Sequence, residues 1–291
     1  LPAAAQPDDL AEALRTTPIK PQKIADDFYV LFGVGGNILV SIGAEGTLIV
    51  DAQFVPMVPK YEAAIRQLGG GKINFVINTH WHFDHTDGDQ TLGREGAWIV
   101  AQENTRQMMM KDNVINLVTQ KREQPAYAES AWPVITFDHN MRMHFNGETI
   151  DLLHYGPAHT AGDAVVVFRR HNVVHMGDVY NNAGYPFIDV DNGGSLSGTI
   201  EFASKMLAQI DANTIVVPGD GPVAGYQDLA DYVTMLTTIR DRIAALVASG
   251  ATLKQVIAAE PTSEWDDKKG DPSSFIDRAY ASLSKPSLSK H

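Results

Sequence analysis

The chain has 291 residues, 44% of them hydrophobic and 20% charged, with a formal net charge of −12 and no cysteine. Such a composition belongs to a globular protein with a sizeable core rather than to a disordered chain, and its acidity argues against binding duplex nucleic acid. The lack of cysteine excludes disulfides, thiolate zinc sites and cysteine nucleophiles, and no apolar run is long enough to predict a membrane span.

The opening Leu1-Pro2-Ala3-Ala4-Ala5-Gln6-Pro7 carries no Met and looks like the polar start of a chain matured by signal removal. Export to the periplasm or beyond is the expectation drawn from it, with the cytoplasm as the alternative. Residues 1–22 read as a helical or loose arm broken by Pro18 and Pro21, and residues 23–291 as one domain. Residues 28–32, 37–42 and 47–50 are β-rich runs separated by Gly33, Gly35-Gly36 and Gly43-Ala44-Glu45-Gly46, which predicts an antiparallel meander. Helical character over 61–68 ends at Gly69-Gly70-Gly71. Asn74-Phe75-Val76-Ile77-Asn78 is a short buried strand running straight into His80.

Further along, residues 97–100 predict a strand and 102–111 a helix whose Met108, Met109 and Met110 are expected to pack. Residues 112–132 are polar and give no clear element. Strands follow over 141–145, 149–154, 164–168 and 173–176, then helices over 197–210 and 227–249 around a strand over 214–217. Two successive blocks of strands and helices with no linker suit one layered α/β domain, with sheets packed together inside and helices outside.

The chemistry concentrates in Thr79-His80-Trp81-His82-Phe83-Asp84-His85-Thr86-Asp87-Gly88, where metal-ligand residue types follow the order His-x-His-x-Asp-His. In an extended segment, positions 80, 82 and 84 point the same way; on a helix His80 and His82 would stand about 200° apart and could not converge. A turn at Asp84-His85 would offer a carboxylate and a third imidazole to another metal, with Trp81 and Phe83 facing the core. The loop Gly156-Pro157-Ala158-His159-Thr160 offers a completing His, and Met176-Gly177-Asp178 ends an apolar strand on a carboxylate able to bridge two cations. For Asp178 a helix cap or turn is the plainer alternative. His139, His144, His154, His171 and His175 lack ligand spacing and are expected as hydrogen-bonded or surface residues. Asp189 and Asp191 are expected in turns.

In this order, the three elements resemble the metallo-β-lactamase superfamily, over roughly residues 23–225. The resemblance implies a four-layer αβ/βα sandwich of two mixed sheets, making residues 23–291 the catalytic domain. It implies that His80, His82 and His159 hold one metal and that Asp84 and His85 hold a second. Asp178 would be the bridging carboxylate of the non-lactamase branches, and Asp51, closing a strand, would support the site from behind. The family's last ligand is a His in a Pro-Gly-His-Gly turn; here Val217-Pro218-Gly219-Asp220-Gly221 puts Asp220 there. Two Zn²⁺ per chain are expected, and the carboxylate-rich second site could be partly filled or take Mn²⁺ or Fe²⁺.

The activity expected from the resemblance is hydrolysis of a small-molecule carbonyl substrate by a metal-bound hydroxide, with Asp84 orienting it and accepting its proton. β-Lactams are the first substrate class expected, and esters, lactones or thioesters the alternative that Asp178 favours. A non-catalytic metal-binding protein is the reading from another class. Flavin-linked relatives carry a Glu at the position of His82 and an added flavin domain, and this chain has neither. Residues 180–189 are expected to form one pocket wall, with Tyr180, Asn181 and Tyr185 touching substrate; the stretch contains no Lys to grip a carboxylate.

Overall fold

The computed structural model of the chain describes residues 7–284; the signal-matured start expected at Leu1-Pro2-Ala3 lies outside the described residues. Helix α1 (Pro7–Thr16) precedes strand β1 (Lys20–Ala25). Strands β2 (Phe28–Phe32), β3 (Ile38–Gly43) and β4 (Gly46–Val50) follow, and β1 to β4 pair as an antiparallel meander. Helix α2 (Val58–Gln67) carries the chain across to β5 (Ile73–Ile77), which leads to two short helical turns, α3 (Phe83–Thr86) and α4 (Asp89–Leu92). Next come β6 (Trp98–Gln102), α5 (Glu103–Met109), the two-stranded ribbon β7 (Asn113–Asn116) and β8 (Lys121–Gln124), and β9 (Ile135–Phe137). The first sheet has the order β1-β2-β3-β4-β5-β6-β9 and runs parallel from β4 onward.

The second sheet takes β10 (Asn140–Phe145), β11 (Glu148–Leu153), β12 (Val165–Phe168), β13 (Val173–His175), β14 (Ile215–Val217) and β15 (Ala224–Gly225) in that order, with β13 and β14 parallel. Helices α6 (Leu196–Leu207), α7 (Tyr226–Ala248), α8 (Leu253–Ala258), α9 (Asp266–Lys269) and α10 (Ser273–Ser284) complete the described chain. The polar stretch that gave no clear element is therefore the β7–β8 ribbon and its flanks. Among the described residues no helix is long and apolar enough to cross a membrane.

Alternation along the strands explains the layers. Leu39, Leu48 and Val50 meet Ile150, Leu152, Val166 and Phe168 between the sheets. Val40, Ile49 and Val76 turn to the opposite face, where Tyr61 and Ile65 of α2 cover them. On the far side Val165, Val167 and Val174 face Phe202 of α6 and Leu236 and Ile239 of α7. Both sheets are thus covered on two faces, which is why their central strands read as largely apolar runs. Each fully buried Val, Leu or Ile contributes about 1.5–3 kcal/mol by leaving water.

Five strand ends meet at one edge of the sandwich. Asp51 follows β4, the His80 segment follows β5, the His159 loop follows β11, Asp178 follows β13 and the Asp220 turn follows β14. Backbone bonds join the two sheets there: Ala164 N–H donates to Thr79 O at 2.7 Å and Asn37 N–H to Gly219 O at 2.7 Å. Strand ends, unlike strand interiors, leave polar side chains free of ladder geometry, and sites collect there.

Candidate metal centre

Beyond β5 the chain stays extended to His82 (φ −63°, ψ 145°), just before α3. His80 and His82 consequently share a side, and the fully buried Trp81 turns into the core. Where the sequence predicts an extended path as far as Asp84, α3 begins at Phe83, its first turn closed by His85 N–H donating to His82 O at 3.0 Å. That turn brings Asp84 and His85 round to the same centre. Two glycines make room: a Cβ on Gly36 would lie 2.2 Å from the His85 ring, and one on Gly219 only 1.9 Å from Asp178 Oδ1.

The hydrogen bonds fix which ring nitrogens face the centre. Thr79 Oγ1 donates to Asp51 Oδ2 at 2.8 Å, so its oxygen accepts from His80 Nδ1 at 3.0 Å. His85 Nδ1–H donates to Asp51 Oδ2 at 2.8 Å, and Asp51 Oδ1 takes the Thr79 N–H at 2.8 Å. His159 Nδ1–H donates to the Phe187 carbonyl at 2.6 Å, and His82 Nε2–H to Asp189 Oδ2 at 2.9 Å. Every one of the four imidazoles has its outer nitrogen spent on an acceptor, which leaves His80 Nε2, His82 Nδ1, His159 Nε2 and His85 Nε2 as inward lone pairs. His82 Nδ1 and His159 Nε2 stand 2.8 Å apart. His80 Nε2 is buried without any hydrogen-bond partner, and His85 Nε2 and Asp178 Oδ1 have only each other, 3.2 Å apart.

Ligand atoms of three groups lie within 4.8 Å of one another: His80, His82 and His159; His80, His85 and Asp178; and Asp84, His85 and Asp220. These groups can hold metal ions, and the convergence of lone pairs and orphaned buried atoms fits such an occupant. Asp178 reaches both halves, its Oδ1 3.2 Å from His85 Nε2 and its Oδ2 3.6 Å from His159 Nε2. Asp51 holds its carboxylate in place from a left-handed backbone (φ +64°), a strained conformation for a residue other than glycine.

Charge follows the same pattern. Burial, and next the His85 imidazole, push His80 well below the ordinary imidazole range, which keeps its lone pair free. His85 is the exception: burial would lower it too, but Asp178, Asp51 and Asp84 raise it well above that range, so its inner nitrogen favours a cation there, a proton or a metal. Against its own burial, Asp178 is held well below the usual carboxylate range by His85 and His159. Asp220 is raised by burial and by the Asp178 and Asp84 carboxylates.

Several supporting residues carry no signal in the sequence. Asp189, expected in a turn, is 1% exposed and anchors His82 from 107 positions away. Asn37 pins the turn that presents Asp220, its Nδ2 donating to Pro218 O at 2.9 Å and Gly221 O at 2.8 Å. Asp163 ties down the His159 loop by accepting from Thr160 N–H at 2.7 Å and Thr160 Oγ1 at 3.0 Å. His175, expected to be hydrogen-bonded, meets Asn37 O at 3.0 Å.

A cavity of about 900 Å³ opens over the centre, with Asp84, Asp178, Asp220, His82 and His159 on its floor. Asn181 and Tyr185 line it, the Tyr185 hydroxyl donating to Asp266 Oδ1 at 2.7 Å. Tyr180 lies elsewhere: it is 1% exposed in the helix-side core, its ring centroid 4.9 Å from that of Tyr232.

Residues 28–241 match the family model of the metallo-beta-lactamase superfamily. The crystal structure of DIM-1 metallo-beta-lactamase aligns with a TM-score of 0.60 at 18% identity, over 76% of this chain and 98% of that one. A metallo-beta-lactamase from Pontibacter korlensis aligns with a TM-score of 0.61 at 17% identity, over 75% and 99%. At these identities the likeness is one of fold.

Proposed function

Since the chain belongs to the metallo-beta-lactamase superfamily, we propose that it is a zinc-dependent hydrolase with two metals per chain, acting on the carbonyl of a small molecule. The observation that carries this reading is the set of four imidazoles whose outer nitrogens are all spent and whose inner nitrogens converge. Protons could settle the contact between His82 and His159 and that between His85 and Asp178, but not the orphaned His80 Nε2. His80, His82 and His159 would hold one zinc, and His85, Asp84 and Asp220 the other, with Asp178 between them. When bound, such metals supply Lewis acidity and lower the pKa of water to about 7.

The chain's own residues do the rest. Asp84, on the cavity floor with its Oδ2 3.9 Å from His85 Nε2, orients the attacking water and accepts its proton. Phe187 forms part of the wall beside His159, and its backbone carbonyl holds that ring. The span of Asp178 across both halves favours esters, lactones or thioesters over β-lactams, because the resemblance puts that carboxylate in the non-lactamase branches.

Elemental analysis of the zinc-loaded protein, with nitrocefin and a panel of esters, lactones and thioesters assayed before and after chelation, tests the reading. Two zinc per chain and chelator-sensitive turnover of a panel member are expected, with Asp84→Asn lowering kcat at full metal loading. Metal-free protein, or turnover indifferent to chelation, would overturn the hydrolase assignment. Near-wild-type turnover in Asp84→Asn would remove that residue's role.

A further inference from the structure

The cavity above the centre is walled by two pieces of chain that the metal ligands do not require. One is the ribbon, which contributes Ile115, Leu117 and Arg122. The other is the segment from α9 into α10, which contributes Lys269 and Phe275 and lies beyond residue 241, where the family match ends. Much of the wall is apolar, yet each piece sets one cation into it. Arg122 sits over Phe83, its Cζ 3.5 Å from the ring centroid. Stacking uses the face of a guanidinium and leaves its N–H groups free in the plane to meet an anion.

Lys269 is half-buried, and its burial lowers its pKa. Asp228 acts on it only through space, partly offsetting that burial, and the carboxylates of Asp271 and Asp228 accept other hydrogen bonds. Asp271 accepts from Ser273 N–H at 2.9 Å and from Ser273 Oγ at 2.6 Å, and Asp228 accepts from Gly225 N–H at 2.9 Å. Among the described residues neither Arg122 nor Lys269 makes an ion pair, whereas Arg142, Arg169, Lys205, Arg242 and Arg278 all do. A half-buried ammonium with no carboxylate in direct contact gains from a ligand that supplies one.

We propose that Arg122 and Lys269 form an anion-recognising wall of the substrate cavity, selecting carbonyl substrates that carry a carboxylate on an apolar body. This rests on the hydrolase reading for the reaction but not for the binding. The carboxylate meets the cations, the apolar body lies against Phe187 and Phe275, and the carbonyl reaches the floor beside Asp84. A segment outside the family match thereby becomes a determinant of specificity.

The test compares a neutral ester, 4-nitrophenyl butyrate, with an anionic one, mono-4-nitrophenyl glutarate, on zinc-loaded wild type, Lys269→Met and Arg122→Met. The wild type is expected to prefer the anionic ester in kcat/KM, and each variant to lower that preference about tenfold, as loss of one charge-assisted hydrogen bond would. A wild type without preference, or variants that keep it, overturns the proposal. Calorimetric binding of 4-phenylbutyrate, with 4-phenylbutanol as the neutral control, reads the wall without any turnover. Preferential binding of the acid that falls in the variants supports the wall even where neither ester is cleaved, in which case only the reaction assignment fails. Binding of the acid that survives both substitutions would place the anion on the metals, and no binding at all would likewise overturn the wall.

Discussion

Asp51→Asn is the sharpest probe of how the centre is built. Asparagine keeps the shape of the side chain and tolerates the left-handed backbone at φ +64°, so the strand end should hold its path. The change acts on hydrogen bonding. The new Oδ1 can still accept from Thr79 N–H, but an NH₂ then faces Thr79 Oγ1 and His85 Nδ1, each now 2.8 Å from Asp51 Oδ2. His85 Nδ1–H loses its acceptor outright. Thr79 must turn its hydroxyl away, and that disturbs the oxygen that receives His80 Nδ1–H at 3.0 Å.

Removing such an outer partner costs about 10–100-fold in metal affinity, or about 1.4–2.7 kcal/mol. The larger share should fall on the His85 site, which Asp51 touches directly, and the smaller on the His80 site, reached through Thr79. Zinc competition against a chromophoric chelator, resolved into two binding steps, measures both. Wild-type affinity at both steps, in a variant with an unaltered circular dichroism spectrum, would refute the view that Asp51 orients these rings.

Asp189→Ala should weaken zinc at the His82 site by at least tenfold in the same competition assay, because His82 Nε2–H loses its carboxylate. Asp191→Ala, which loses only Arg278 and Asn116 as partners, should leave that affinity within a factor of two; equal losses in both variants would show that loop disruption is responsible. Asp89 is fully buried, and burial raises its pKa well above the carboxylate range against the opposing pull of Asn78. The folded state therefore binds this proton more tightly than the unfolded chain, where the pKa is about 3.9. Its contribution is most favourable below that pH and is lost as pH rises towards the folded value. Asp89→Asn should accordingly stabilise the protein in urea unfolding at neutral pH, with the gain vanishing below about pH 4. A gain independent of pH would point to packing instead.

Local spacing made the densest part of the centre readable. His80, His82, Asp84 and His85 lie on consecutive pieces of one short segment, so backbone period and a single turn decide their convergence. The largely apolar runs at 28–32, 37–42 and 47–50 marked strands for an equally local reason, since a sheet covered on both faces leaves few polar positions to fill. His159, Asp178 and Asp220 were legible only as strand-end residues in plausible loops, and the resemblance was needed to join them to the first segment. Tyr180 shows the opposite case: one residue from Asn181, it turns into the helix-side core while its neighbour lines the cavity.

By itself, then, the sequence determined the layered α/β class, the two blocks of strands and the histidine cluster, because these follow from periodicity and short-range geometry along the chain. Tertiary structure decided everything that depends on which distant strand ends meet. Only the closed sandwich brings Asp189 to His82, Asn37 to the turn of Asp220, and Asp178 within reach of both His85 and His159. Only the ribbon and the last helices, folded over the same edge, bring Arg122 and Lys269 to one cavity. Hydrogen bonds and ion pairs act over about 3 Å, and no pattern of spacing along a chain specifies which residues will come that close.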